Sequence, residues 1–367
     1  MKHPKHILCT VLALALVLSM ALTGCSMPRL TIGGTPAVAG TVGGREISTG
    51  EYLAYLYNTF YEMYYNQGLY YYEYYGMDPW TQEFPVSEEE DAEKLKLAEY
   101  IKWQAQDSIV RQEVLAAMLK ENGLSWLEED EKKINDELKE LKEGAYLAAG
   151  FSNENFIKSY KALYLNERSL FFGLYGEGGK RAVSEADQKK YFEENYLSYK
   201  MISIALTDSD GKELDEKGKK EITDKLNGYL EIYNKDKNFE AAVDAYNKDN
   251  AEKDEKVEAS KDEDNRINTD AKASEMDEDL EEAIRSVEVG TAKIVTYSAG
   301  GKTPTAALIL RLDINDPKDL FTDEQENILS ALKYDEFDEE VKKAMEKVER
   351  TFDKAVLKKC KPQNFLG

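Results

Sequence analysis

Two histidines, His3 and His6, and three cysteines, Cys9, Cys25 and Cys360, are all the imidazole and thiol chemistry in this 367-residue chain. An uncharged, mostly apolar run from Ile7 to Gly24 follows Lys2 and Lys5. A basic start, a short apolar core and small residues before a cut describe a secretory signal. The run is short for a stable membrane span, which needs about 20 apolar residues. Residues 1–24 are therefore expected to be removed, and both histidines leave with them. That excludes histidine general acid/base catalysis, Ser-His-Asp triads and histidine metal sites. The reading names no catalytic residue and calls for no metal and no cofactor. Cys9 also leaves, so Cys360 has no thiol to pair with inside the body.

Charge narrows the partners. Losing Lys2 and Lys5 takes Lys+Arg from 48 to 46 against 71 Asp+Glu, and the formal charge from −23 to −25. This balance argues against nucleic acid and against a basic patch lying on anionic lipid. It favours solubility beside sticky, partly folded chains.

Cys25 is the other reactive position. Leu22-Thr23-Gly24-Cys25 resembles the lipobox of bacterial lipoproteins. The resemblance implies that the Cys25 sulfur takes a diacylglycerol and that cleavage leaves Cys25 first. Two acyl chains suffice for lasting attachment. The expected location is the cell membrane, lipid-anchored, on its extracytoplasmic face.

The elements behind these residues divide the chain. Residues 25–37 are small, Gly- and Pro-containing and without period, and read as a tether. Val38–Ile47 reads as a short strand with a Gly-Gly turn. Capping boxes announce helices at Ser48/Glu51, Ser87/Glu90, Ser125/Glu128 and Thr322/Gln325, with a related Ser184/Asp187 pair. Periodic, Lys/Glu-laced stretches over 91–123, 126–144 and 153–175 make the first half a set of helices. Past Ser184 the pattern changes to strands at 199–206, 292–297 and 306–312, with helices near 216–234 and 239–246. The charged segment from Asn247 reads as a solvated loop. Phe337, Val341, Met345, Val348, Phe352 and Ala355 form an apolar seam of about five helical turns that needs the first half as partner.

Several stretches together resemble PrsA/SurA-type extracytoplasmic foldases. They are Val42-Gly-Gly-Arg-Glu-Ile-Ser-Thr49, Asn122-Gly-Leu-Ser125, Gly150-Phe-Ser-Asn-Glu-Asn-Phe156, the run Val183–Asn195, Leu280–Gly290 and Lys361-Pro-Gln-Asn-Phe365. The resemblance implies an α+β chain. Its mostly helical chaperone domain is built from residues 38–183 and 317–367, with a small parvulin-like α+β domain inserted at 184–316. Parvulins of the family isomerise X-Pro bonds, a barrier near ~20 kcal/mol, with two facing histidines and an apolar proline pocket. The matching positions are Ser203 for the first histidine and Ala307 or Leu308 for the second, so the module is expected to be catalytically degenerate. The partners implied are unfolded or partly folded exported proteins, together with membrane lipid through Cys25.

Eleven of the 24 tyrosines lie in 52–75. Plotted on a helix, Leu53, Leu56, Tyr57, Phe60 and Tyr64 make a core stripe. Tyr52, Tyr55 and Tyr65 fall off it, and Tyr70, Tyr71, Tyr72, Tyr74 and Tyr75 sit in a glycine-bounded continuation. These eight are the candidate client-binding residues, because tyrosine offers broad apolar contact at low rotamer cost plus a hydroxyl. Three functions compete: a tethered chaperone with a degenerate parvulin module, an active prolyl isomerase with an unusual pocket, and a binding lipoprotein for one surface partner.

Overall fold

The computed structural model describes residues 37–89, 91–251, 271–272, 276–315 and 320–366. The expected signal segment, Cys25 and most of the expected tether lie outside the described residues. The fold is α+β, and the chain divides into two compact units, one ending at Val183 and resuming at Leu329, the other running from Ser184 to Ile328. The second break falls 12 residues past the position expected from sequence (316/317), because the segment before Leu329 packs within the second unit. There Phe321 meets Phe192 with ring centroids 5.6 Å apart, and Tyr196 donates to Glu324 at 3.0 Å.

The first unit opens with a hairpin, β1 (Val38–Val42) and β2 (Arg45–Ser48). Gly43 and Gly44 both hold positive φ, which a two-residue turn matched to strand twist demands. Ser48 then caps helix α1 (Thr49–Tyr61), accepting from the Glu51 amide at 3.1 Å. After α1 come a π-helical turn over Glu62–Asn66, the short helix α2 (Tyr70–Tyr74), and a small ladder of β3 (Glu83–Pro85) and β4 (Lys94–Lys96). Three longer elements follow: α3 (Leu97–Asn122), α4 (Glu128–Leu138) and α5 (Asn153–Lys161). A second π-helical turn over Ala162–Asn166 joins α5 to α6 (Glu167–Tyr175). No helix starts at Ser87, since β4 occupies that approach and α3 begins at Leu97.

The second unit begins at α7 (Glu185–Asn195), capped by Ser184 as the sequence predicts. β5 (Tyr196–Leu197) pairs with β7 (Ala271–Lys272). β6 (Tyr199–Ala205), β8 (Ala292–Ala299) and β9 (Thr303–Arg311) form an antiparallel sheet of order β6-β9-β8. Helices α8 (Glu216–Asp236) and α9 (Phe239–Asn250) cover one face through Leu226, Tyr229 and Phe239. Helix α10 (Glu278–Arg285) covers the other through Ala283 and Ile284. The charged loop expected from Asn247 lies largely outside the described residues.

The short α11 (Leu320–Asp323) precedes α12 (Gln325–Lys347), which carries the chain back into the first unit. Phe337 and Val341 are fully buried there, and Phe337 meets Phe171 at 5.4 Å. The five-turn seam is shorter than the sequence implies. Helix α12 ends at Lys347, and Arg350–Phe352 instead form β10, which pairs antiparallel with β1. Ala355 is exposed at the start of α13 (Lys354–Lys359). Two chain pieces some 300 residues apart thus share one sheet, with the Thr41 and Thr351 hydroxyls 2.8 Å apart.

Candidate functional site

Aromatic residues run from the core of the first unit to its surface. Tyr146 and Phe151 both meet Tyr57, Tyr57 meets Phe365, and Phe365 meets Phe60, all at centroid separations of 5.3–5.7 Å. Phe60 stacks on Tyr64, which lies 5.2 Å from Tyr65. Tyr65 then reaches Tyr70 at 6.2 Å, and Tyr70 stacks on Tyr71 at 4.2 Å. Such ring pairs add modest energy beyond burial and fix ring orientation.

The exposed end is α2. Tyr70, Tyr71, Tyr74 and Tyr75 are 37, 52, 82 and 71 % exposed, and Met77 extends the patch. Gly68 and Gly76 bracket the helix with positive φ, so the chain turns sharply at both ends and presents the rings outward. Glu62, Glu73 and Asp78 are exposed beside it. The neighbouring Tyr71 hydroxyl raises the Tyr70 pKa, and burial raises that of Tyr65, so both are neutral at physiological pH. The patch is uncharged, aromatic and ringed by carboxylates.

Of the eight candidate tyrosines, Tyr70, Tyr71, Tyr74 and Tyr75 lie on this surface, while Tyr65 and Tyr72 are half-buried against the core. Tyr52 and Tyr55 are corrections: both are core residues, not surface ones. Helix α1 is enclosed on several sides by α3, α5 and the C-terminal segment, and a helix apolar all round is an interior helix. Tyr52 packs on Phe352 of β10 at 6.4 Å. The π-helical turn then shifts the face of every residue beyond Tyr61. Met77 was missed by sequence reasoning; its one signal is its place just past Gly76, and methionine suits adaptable contact surfaces.

A partly buried ion cluster holds this frame. Arg45 grips Glu51 at 2.7 and 3.0 Å and Glu113 at 2.6 Å twice. Burial alone would raise the Glu51 carboxyl, but Arg45 and Lys158 hold it below its ordinary range. Arg111 likewise bridges Glu167 at 2.9 Å and Asp338 at 2.8 Å, joining α3, α6 and α12.

In the second unit Ser203 on β6 lies directly opposite Ala307 on β9, and Ala307 opposite Val295 on β8. Ser203 is exposed while Ala307 is fully buried on the α10 face. Leu308 points to the opposite face, into the cluster under α8 and α9. The pair brought together is therefore Ser203 and Ala307, and Leu308 is excluded from it. A hydroxyl, a methyl and an isopropyl group make up that row. None of them can carry a charge at neutral pH, so this row supplies no general acid or base. Among the described residues, no group of three His, Cys, Asp or Glu side chains could hold a metal, and no helix is long and apolar enough to cross a membrane.

No family model and no curated protein matches the chain. Among solved structures, it is similar to a peptidylprolyl isomerase (PrsA) from Bacillus cereus, at 17% identity and TM-score 0.33, over 75% of this chain and 96% of that one. It is also similar to a foldase protein (PrsA) from Lactococcus lactis, at 11% identity and TM-score 0.32, over 87% and 96%.

Proposed function

We propose that this protein is an extracytoplasmic chaperone that holds exported, partly folded chains, anchored to the membrane by acylated Cys25. The observation that carries the reading is the solvent-exposed aromatic end of α2, Tyr70, Tyr71, Tyr74 and Tyr75, of which Tyr70 and Tyr71 are joined to the core by ring contacts. Monomeric surfaces seldom expose contiguous apolar rings unless they bind something. Tyrosine and methionine bind without a fixed partner shape, as varied unfolded clients require. The second unit is a parvulin-like module in this reading. It binds extended peptide weakly and does not speed isomerisation appreciably, because the row Ser203–Ala307–Val295 lacks imidazole.

The test is the suppression of aggregation of a denatured client, run beside a proline-peptide isomerisation assay. Replacing Tyr70, Tyr71, Tyr74 and Tyr75 together with Ser should weaken suppression several-fold, while helicity and Tm stay unchanged because these rings are exposed. Isomerase rates like those of an ordinary parvulin, with suppression intact in the tyrosine variant, would replace this reading with that of an enzyme. For the anchor, metabolic labelling with a fatty-acid analogue should mark the protein and fail on Cys25→Ala.

A further inference from the structure

Four lysines, Lys102, Lys354, Lys358 and Lys361, line one cavity of about 770 Å³ in the first unit. Glu99 is the only carboxylate on its wall, and Gln363 and Asn364 add amide donors. Lys102 is only 7 % exposed, and among the described residues the one hydrogen-bonding partner of its ammonium is Glu99, at 2.9 Å. An ammonium has three N–H donors, so the bond to Glu99 leaves two of them for a ligand or for water. A cationic cavity with surplus donors fits an oxyanion.

Its place in the fold suggests where that anion comes from. The Asp353 amide donates to the Ala39 carbonyl at 2.8 Å, so Lys354 starts beside the strand through which the chain enters this unit. Ala37, the first described residue, is thus two positions from the residue that Asp353 contacts. The whole chain is strongly acidic, but charges more than about 10 Å apart are largely screened, so the local sign decides what docks here.

We propose that this cavity binds a phosphate ester, supplied by the headgroup of an anionic phospholipid. The lipid source rests on the anchor reading above; the phosphate site does not. The full chain would be reconstituted into nanodiscs of phosphatidylcholine, with or without phosphatidylglycerol, and its lysines footprinted by acetylation. Phosphatidylglycerol should slow labelling of Lys354, Lys358 and Lys361 about threefold, while Lys217 and Lys220 on the second unit stay unchanged. The variant Lys354→Glu/Lys358→Glu/Lys361→Glu, changed only at exposed positions, should lose any lipid-dependent amide-exchange protection at Gln363, Asn364 and Phe365. Slowing by glycerol phosphate in phosphatidylcholine discs, but not by phosphatidylglycerol, would overturn the lipid source and leave a soluble phosphate ester as ligand. No slowing by either, or protection persisting in the variant, would overturn the site. If the unaltered chain takes up no acyl label while glycerol phosphate still protects the lysines, the anchor reading fails and the site stands.

Discussion

Arg45 shows how much of this molecule depends on single charged side chains. It stands between Glu51, whose side chain is 5 % exposed, and Glu113, so removing it strands a carboxylate in the interior with only Lys158, 3.2 Å away, to answer it. Arg45→Met should cost about 2–3 kcal/mol, below the full penalty for a buried pair because the arginine keeps some solvent contact. Urea unfolding reads this directly. The pH dependence follows from the same groups. Glu51 and Asp338 titrate below their unfolded values, Asp338 because Lys342 and Arg111 outweigh its burial. Their stabilisation is therefore complete above the unfolded carboxylate range, and it is lost as pH falls through the folded values. Asp107 runs the other way: burial raises it, so its contribution is present in acid and lost as pH rises. The net expectation is falling stability below about pH 4.5, with a flatter acid limb in Glu51→Gln.

At the scale of elements, the pairing of β10 with β1 is the contact most exposed to a small change. A Cβ on Gly40 would sit 2.2 Å from the Thr351 carbonyl oxygen, against backbone that cannot yield. Gly40→Val should therefore part the two strands and cost at least about 3 kcal/mol, with amide exchange at Arg350–Phe352 rising to show where the break lies. This pairing was not legible in the sequence. Phe352 and Ala355 continue the three-four spacing of α12, and nothing local announces that the chain leaves the helix at Lys347 to meet a strand some 300 residues earlier. Local chemistry was legible: the Gly43-Gly44 turn, the Ser48 and Ser184 caps, the three strands of the second sheet and the exposed rings of α2. What failed at the candidate site failed for two reasons. Two-sided burial of α1 removes the distinction between stripe and off-stripe tyrosines, and a π-helical turn has no reliable sequence signature. The lysine cavity was hidden for a related reason, because Lys102 joins Lys354, Lys358 and Lys361 only after folding.

For the molecule as a whole, the first unit is assembled from two chain pieces and the second from one. Joining Val183 directly to Leu329 should leave a cooperatively folded helical unit, since both pieces of its core remain. Ending the chain at Ile328 should instead unfold it, because Phe337, Val341, Val356, Cys360 and Phe365 leave the core together. Calorimetry of the two constructions separates the outcomes. A truncated chain that still melts cooperatively at the native temperature would contradict the shared core.

That shared core also sets a timetable. Chains emerge from the ribosome N-terminus first, and the first unit cannot close β1 on β10 until Phe352 has appeared. Between Val183 and Leu329 lie the 145 residues of the second unit, residues 184–328, which at 5–20 residues per second take roughly 7–30 s to make. For that interval α1, with its buried tyrosines, has no C-terminal segment to cover it, while the second unit can finish folding alone. This protein is thus, during its own synthesis, a long-lived unfolded chain of the kind it is proposed to hold. Chains stalled before Leu329 should be digested by protease up to Val183 and resist it beyond.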